Sequence, residues 1–398
     1  MKILINTGRF NGGAPLSILE YAKIAKKNGH AVIAIGEYST SQRRYMESGI
    51  KTYNVPYFSI KRIIRNFYSL RQFISIIKEE KPDIIHATSY GIIPSKFVAM
   101  LFKIPIMFSV AGGKAPNHIF ENEKLIVYSQ ENKNDLIRFG INDDRIDVMS
   151  NRLNIDDSEV FDTSIYKESI KDINLLLISR LDEGVIRSVY NIIDITVYLA
   201  NRFENLTLTI IGNGELHEII TSKAEAINKK AGNEIIKVLG FVETPRLYIY
   251  NSHLVFGKGR SIIESILNNR ISFVIGENND ISICSMESVL NLYDYNFSGR
   301  NIEHRTDIDG IVKIIEKVLY GSINLEDLHE VREVVDKLYN IKYIEDKILS
   351  MYQDCSINEE YVIYSSKLGA VKYIVKYYLK ELLKKDKWRV FLKKMFNR

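Results

Sequence analysis

The chain has 398 residues, too many for one ordinary hydrophobic core, and about two domains of about 150–200 residues are expected. Hydrophobic residues make up 46% and charged residues 26%, as in a water-soluble globular protein, and two cysteines, Cys284 and Cys355, exclude a disulfide framework and point to a reducing compartment. The net charge of +5 is uneven: eleven Lys and Arg against Glu381 and Asp386 fall between Lys367 and Arg398, a net of +9 that leaves −4 on the rest, unlike a uniformly basic nucleic-acid binder.

In chain order, Lys2–Asn6 reads as a strand, too short for the apolar region of a signal peptide. Gly12-Gly13 follow it, and Pro15 suits a first helical position. Ile18, Leu19, Ala22 and Ala25 then recur at helical spacing until Gly29 ends the helix. Ala31–Ile35 is the next strand, and Ile60–Lys78 is a basic amphipathic helix. Ile84–Ala87, Ile104–Val110 and Leu125–Tyr128 are further strands. The longest apolar run, Phe97 to Val110, is broken by Lys103 and Pro105 and is too short to span a bilayer.

Asn154 to Ile173 is polar and without period, which places a linker there. A second alternating series follows: strands Asn174–Ile178, Leu206–Ile211, Ile236–Leu239, His253–Phe256 and Ile271–Ile275. Tyr293 to Arg300 reads as a closing loop, and helices run from about Asp309 to Met351. Short apolar strands separated by helices imply parallel, doubly wound sheets. The expected α/β architecture is two facing Rossmann-like domains with a cleft between them, residues 1–160 and 161–350, and a basic helical tail, 351–398.

The chemistry concentrates between Leu175 and Ile275. Arg180, Gly212-Asn213-Gly214, Phe241-Val242 and Gly257-Lys258-Gly259-Arg260 each stand where an apolar strand ends, and Glu264 follows four residues after Arg260. In open α/β sheets that edge binds ligands. A cation, an acid and several glycines there describe a pocket for a phosphorylated, hydroxyl-bearing ligand, and a sugar nucleotide fits. In the first half, Gly12 and Gly13 permit close backbone approach to phosphate before a helix start. Their spacing from Gly8 is not the G-x-G-x-x-G of dinucleotide binders, which argues against NAD.

Taken as an ordered series, these marks resemble the retaining glycosyltransferases of the GT-B type, glycosyltransferase family 4, a group with many capsule and lipopolysaccharide transferases. The series also includes Asn28-Gly29-His30, Lys81-Pro82-Asp83-Ile84-Ile85-His86, Ser129-Gln130-Glu131 and Asn151-Arg152-Leu153-Asn154, and it covers roughly residues 1–350. The resemblance implies that Gly12-Gly13 face the donor diphosphate and that Arg180 contacts it. A fixed guanidinium there would stabilise the leaving charge without a metal. Arg187 stands near the place of a second family cation, or else forms a surface salt bridge. Glu264 matches the second Glu of the family's pair and would accept both ribose hydroxyls. Gly212, Asn213, Gly214, Phe241 and Val242 would flank the base, leaving UDP, GDP, CMP and ADP undistinguished. Gly257, Gly259 and Arg260 would approach phosphate or the donor sugar.

Two positions depart from the family pattern. Phe256 stands where its first Glu belongs, eight residues before Glu264. Ala111 stands where a catalytic-region His is common, and Lys114 or His118 is the candidate to reach the same space. His86 reads as a packed strand-end residue. Asp307-Ile308-Asp309 has a D-x-D form but reads as a helix cap. No metal and no cofactor is expected beyond the nucleotide sugar as substrate.

The tail carries Val371, Ile374, Val375, Tyr378, Leu379 and Leu382 on one helical face, continued by Trp388, Phe391, Leu392, Met395 and Phe396, among nine lysines and two arginines. Such a helix suits an anionic membrane surface or packs on protein. Lys61 to Tyr68 offers a second membrane contact. The expected protein is cytoplasmic and peripheral at the inner face of the membrane. It would transfer a sugar to a saccharide or polyprenyl-diphosphate-linked acceptor, without a nucleic-acid partner. A sugar-nucleotide 2-epimerase on the same fold and a catalytically degenerate scaffold subunit are the rivals.

Overall fold

The computed structural model describes residues 1–59, 63–110, 120, 123–150, 152–155, 163–166, 170–276, 280–363 and 367–383. Two compact units divide the chain: Met1–Asn154 together with the segment from Ile341 onward, and Ile155–Asn340.

The first unit runs β1 (Lys2–Arg9), α1 (Gly13–Lys27), β2 (Ala31–Glu37), α2 (Gln42–Glu47), β3 (Lys51–Asn54), α3 (Ile63–Glu80), β4 (Ile84–Thr88), α4 (Ile92–Phe102), β5 (Ile106–Val110), β6 (Lys124–Val127), α5 (Gln130–Arg138) and β7 (Ile146–Val148). Among the described residues these strands form one parallel sheet, ordered β3-β2-β1-β4-β5-β6-β7. Its central strands are buried along most of their length, because helices cover both faces, and carry apolar runs such as Ile3–Ile5, Ile84–Ile85 and Ile106–Phe108. Leu4 points to one core with Phe73, Phe97 and Phe108. Ile3 and Ile5 point to the other with Tyr21, Tyr45 and Ile126. Strands β3 and β7 carry too few apolar residues to stand out in the sequence, since an edge strand pairs on one side only.

The second unit runs β8 (Ile173–Ile178), α6 (Ile186–Ala200), β9 (Leu206–Ile211), α7 (His217–Ala231), β10 (Ile236–Gly240), α8 (Arg246–Tyr250), β11 (Leu254–Gly257), α9 (Arg260–Leu267), β12 (Ile271–Ile275), β13 (Ile281–Ile283), α10 (Val289–Asp294), α11 (Ile308–Leu319) and α12 (Leu325–Tyr339). The sheet order is β10-β9-β8-β11-β12-β13, parallel except for β13, which the periodicity did not suggest. The segment read as a closing loop begins two residues inside α10. Asp307 caps α11, its carboxylate accepting from the Gly310 N–H at 2.8 Å.

Two more helices, α13 (Glu345–Ile357) and α14 (Lys367–Leu383), return to the first unit. The sequence reading divides these residues between the donor domain and a separate tail. The return has a plain cause. Ile344, Ile348, Met351, Tyr352 and Cys355 form an apolar face that is buried with Ile3, Ile5 and Tyr21. The Ile341 N–H, just before, donates to Leu153 O at 2.8 Å.

On α14 the apolar stripe is wider than one contact. Ala370, Tyr373 and Ile374 pack against the core that holds α4, while Leu368, Val371 and Val375 stay exposed. Val371, Ile374 and Val375, expected on one common face, are divided between the packed and the exposed side. Tyr373 lies 5.3 Å from the ammonium of Lys96, which is itself buried in an ion pair with Glu123 at 2.6 Å. The continuation through Trp388 to Phe396 lies outside the described residues, as do Lys61 and Arg62. Among the described residues no helix is long and apolar enough to cross a membrane.

Candidate functional site

In each sheet the central strand has its sequence neighbour on one side and a later strand on the other. β1 lies between β2 and β4, and β8 between β9 and β11. These are topological switch points, where loops leaving the carboxyl ends diverge and open a crevice.

At the β8 edge the loops are stitched together through backbone. Ser179 N–H donates to Ile211 O at 3.0 Å, Leu181 N–H to Asn213 O at 3.1 Å, and Gly212 N–H to Gly240 O at 2.8 Å. The approach is close enough to require glycine. At Gly212, with φ of +151°, a Cβ would stand 1.7 Å from Ser179 O. At Gly214 it would stand 2.2 Å from Leu181 O. Asn213 Oδ1 accepts from the Gly214 N–H at 2.9 Å and holds the turn. The glycines therefore serve first to bring these two loops together.

Arg180 leaves this edge two residues after β8, 74% exposed, and pairs with Asp182 at 2.9 Å. Arg187 is exposed in the first turn of α6. Phe241 follows β10 and is 70% exposed, with Val242 half-buried beside it. Across β8, Gly257 is the last residue of β11 and is buried in the sheet rather than in a free loop. A Cβ there would meet Ile178 O at 3.0 Å. Gly259 turns the chain with φ of +59° and caps α9, its N–H donating to Phe297 O at 2.7 Å. Arg260 and Glu264 lie one turn apart on α9 and are joined at 2.7 Å. Arg180, the Gly212–Gly214 turn, Phe241 and the start of α9 thus all sit at the carboxyl ends of four adjacent strands.

In the first domain, Gly12 has φ of +99° and precedes α1, with open space around both Gly12 and Gly13. Lys114 and His118 lie outside the described residues. His86 is fully buried: one ring nitrogen meets Tyr352 Oη and the other Ser109 Oγ, each at 2.8 Å. Burial pushes its pKa down to about 3. It is a packed residue of the sheet, as expected.

A cluster not singled out in the sequence occupies the β1 edge. Arg9 closes β1 opposite Glu37, and its guanidinium lies 3.5 Å from the Tyr57 ring centroid. Arg65 of α3 holds Glu37 at 2.5 Å. The signal was the one that marked Arg180, a cation where a central apolar strand ends. The cluster is not legible in the sequence, because Glu37, Tyr57 and Arg65 are distant in it. Among the described residues no three His, Cys, Asp or Glu side chains converge as a metal site would require.

Residues 11–157 match the family model of Glycosyltransferase Family 4. Among curated protein sequences none matches the chain. Solved structures resemble it along most of its length. A glycosyltransferase from Rickettsia africae superposes with a TM-score of 0.65 at 16% identity, covering 90% of this chain and 99% of that one. HepE from Anabaena, in complex with UDP-glucose, gives 0.61 at 15% identity, over 89% of this chain and 100% of that one. The UDP-GlcNAc 2-epimerase of Methanocaldococcus jannaschii gives 0.56 at 16% identity, over 89% and 99%. The chain therefore has two Rossmann-like α/β domains of the GT-B fold, and residues 11–157 match Glycosyltransferase Family 4.

Proposed function

We propose that the protein is a retaining, metal-independent glycosyltransferase that takes its sugar from a nucleotide-sugar donor held by the second domain. The observation that carries this reading is the gathering of an exposed cation, a turn with two required glycines and a carboxylate at the switch point around β8. Arg180 and Arg187 receive the diphosphate, and the N–H groups at the start of α9 add to its binding. Glu264 accepts the ribose hydroxyls. Phe241, with its exposed ring, and Gly212-Asn213-Gly214 flank the base. The acceptor hydroxyl replaces the nucleoside diphosphate at the anomeric carbon, and Arg180 stabilises the charge as it departs. Lys114 or His118 of the first domain supplies the function of the absent family His.

The acceptor is a saccharide or a polyprenyl-diphosphate-linked saccharide of bacterial surface polysaccharide synthesis, reached at the inner face of the membrane. Support comes from exposed apolar side chains beside basic sequence. Leu368, Val371 and Val375 of α14 are exposed, as are Phe67 and Tyr68 of α3. Both helices pack on α4. Each near-surface Lys or Arg of the tail adds about 1 kcal/mol of attraction to an anionic leaflet.

The alternative is a 2-epimerase, favoured by the likeness to the M. jannaschii enzyme. It requires acid and base groups, which the series around Arg180 and Gly259-Arg260 does not favour, and it has no use for a basic tail. HepE is a complex with UDP-glucose, which makes uridine donors the first probes. The deciding experiment is a thermal-shift panel of nucleotide sugars on the wild type and Glu264→Ala, followed by incubation with UDP-GlcNAc alone. A shift with one nucleotide, lost in the variant, supports the donor site. Conversion of UDP-GlcNAc without acceptor supports the epimerase, and silence with every donor counts against both.

A further inference from the structure

The first domain holds a cation whose partners do not account for it. Arg9 ends β1, the central strand, after a register irregularity between Asn6 and Gly8. Such irregularities re-aim side chains. Its guanidinium carbon lies 3.5 Å from the Tyr57 centroid, so it is stacked on that ring, and 5.3 Å from the centroid of Tyr90, whose ring meets Tyr57 at a tilt. Its charged neighbour, Glu37, is 3.9 Å from Nε, beyond hydrogen-bond range. That carboxylate is engaged elsewhere: Oε1 accepts from Arg65 at 2.5 Å and Oε2 from the Tyr57 N–H at 3.3 Å. Two guanidinium groups thus share one carboxylate, and the cluster keeps a net positive charge. Arg9 remains 36% exposed. A guanidinium has N–H donors and no acceptor, in a planar fork that matches carboxylate or phosphate. Stacking fixes that fork in advance, so little side-chain entropy is lost when an anion arrives.

The surroundings offer an exposed aromatic surface, that of Tyr90, beside that anion site. The cavity lined by Asn6, Gly8, Tyr57, Phe58, Tyr90 and Pro94 that adjoins the cation has room for little more than a water, so a sugar would lie outside it, on the exposed face of Tyr90. Its walls are tightly built. Asn6 Nδ2 donates to Ser95 Oγ at 2.9 Å, and a Cβ on Gly8 would stand 2.5 Å from Tyr90 Cβ. Tyr90 is 54% exposed, leaving an aromatic surface for a saccharide. We infer that Arg9 is a specificity residue for an acceptor saccharide that carries an oxyanion, its ring lying against Tyr90. This deepens the transferase reading and rests on it, because it assigns Arg9 and Tyr90 to the acceptor.

The test is binding to the full chain by titration calorimetry, with methyl glucuronide, glucose 6-phosphate, methyl glucoside and inorganic phosphate as probes. At least one anionic sugar should bind about tenfold or more tighter than methyl glucoside, the worth of one charge-assisted contact. Arg9→Gln should abolish that preference and leave the thermal shift with a nucleotide sugar unchanged. The first two probes distinguish carboxylate from phosphate. If Arg9→Gln loses its cooperative melt, Arg9→Lys takes its place: it keeps a charge near Glu37, lacks the planar fork, and should lose most of the preference. Equal binding of charged and neutral sugars, no binding of either anionic sugar, or a preference untouched by the variants overturns the inference. So does inorganic phosphate binding as tightly as the sugar phosphate. A loss of nucleotide-sugar binding in Arg9→Gln would assign the cation to the donor instead. Failure of every nucleotide sugar to shift the wild type would count against the transferase reading, independently of what Arg9 does.

Discussion

Arg260 and Glu264 are ion-paired along one turn of α9, Nε to Oε1 at 2.7 Å, where β11 ends. A carboxylate has two oxygens, so the pair leaves Oε2 to accept from a ligand hydroxyl while Arg260 orients the group. Glu264→Ala should therefore abolish nucleotide-sugar binding. A ligand at one hundred times its dissociation constant stabilises the wild type by about 2.7 kcal/mol, and the variant should show no shift at that concentration. Arg260→Ala should fall between the two, because it releases the carboxylate without removing it. A full shift in Glu264→Ala would place the ribose elsewhere.

Arg180 is exposed and bound to Asp182 alone among charged partners in the described residues, so its removal should hardly touch folding. Its proposed work is on the departing diphosphate. Arg180→Ala should lower kcat by roughly 10²–10³, with a thermal midpoint close to that of the wild type. Arg180→Lys should recover only part, since a point charge replaces a two-pronged donor. Steady-state kinetics with a matched donor and acceptor decide it, and unchanged transfer in Arg180→Ala would refute the mechanism.

Gly212 and Gly232 separate two reasons for glycine. Both have positive φ, but a Cβ at Gly212 would strike Ser179 O at 1.7 Å, whereas nothing lies within 4 Å of one at Gly232. Gly232→Ala should cost about 1 kcal/mol from backbone strain alone. Gly212→Ala should cost more than about 3 kcal/mol, because two stitched loops must separate. Urea titrations of the two variants measure the difference.

His86 links folding to pH. Its pKa falls to about 3 in the folded protein through burial, against about 6.5 when unfolded. The unfolded chain thus binds the extra proton between those values, and stability falls as pH drops from about 6.5 towards 3. The slope from this residue alone is about 1.4 kcal/mol per pH unit. His86→Gln should flatten that limb of a stability-against-pH curve, at the expense of packing against Tyr352 and Ser109. An identical slope in the variant would assign the acid sensitivity to other groups.

The two sides of α14 make opposite predictions. Replacing exposed Leu368, Val371 and Val375 by Ser should weaken sedimentation with anionic vesicles and leave the melt unchanged. Tyr373→Ala should lower the melting temperature, because Tyr373 packs on the first core and lies over Lys96. Vesicle binding that survives the triple replacement would place the membrane contact elsewhere, and no vesicle binding by the wild type would argue for a protein partner.

Much of the candidate site's placement was legible because it obeys a local rule. A polar or glycine residue directly after an apolar, β-branched run stands at a sheet's carboxyl edge, and Arg180, Gly212 and Glu264 could be placed there from spacing alone. His86 as a packed residue and Asp307 as a cap were readable for the same reason. Edge strands β3, β7 and β13 were not, since their short, mixed sequences acquire strand character only by pairing.

By itself, then, the sequence determined two alternating α/β halves, the strand-end loops and a basic amphipathic tail, because periodicity and turn chemistry are local properties. Tertiary structure alone decided that the chain after Ile341 returns to the first unit, that α14 buries one side and exposes the other, and that Arg9, Glu37, Tyr57 and Arg65 meet. Those outcomes depend on which apolar faces find one another across hundreds of residues, and no local pattern encodes that choice.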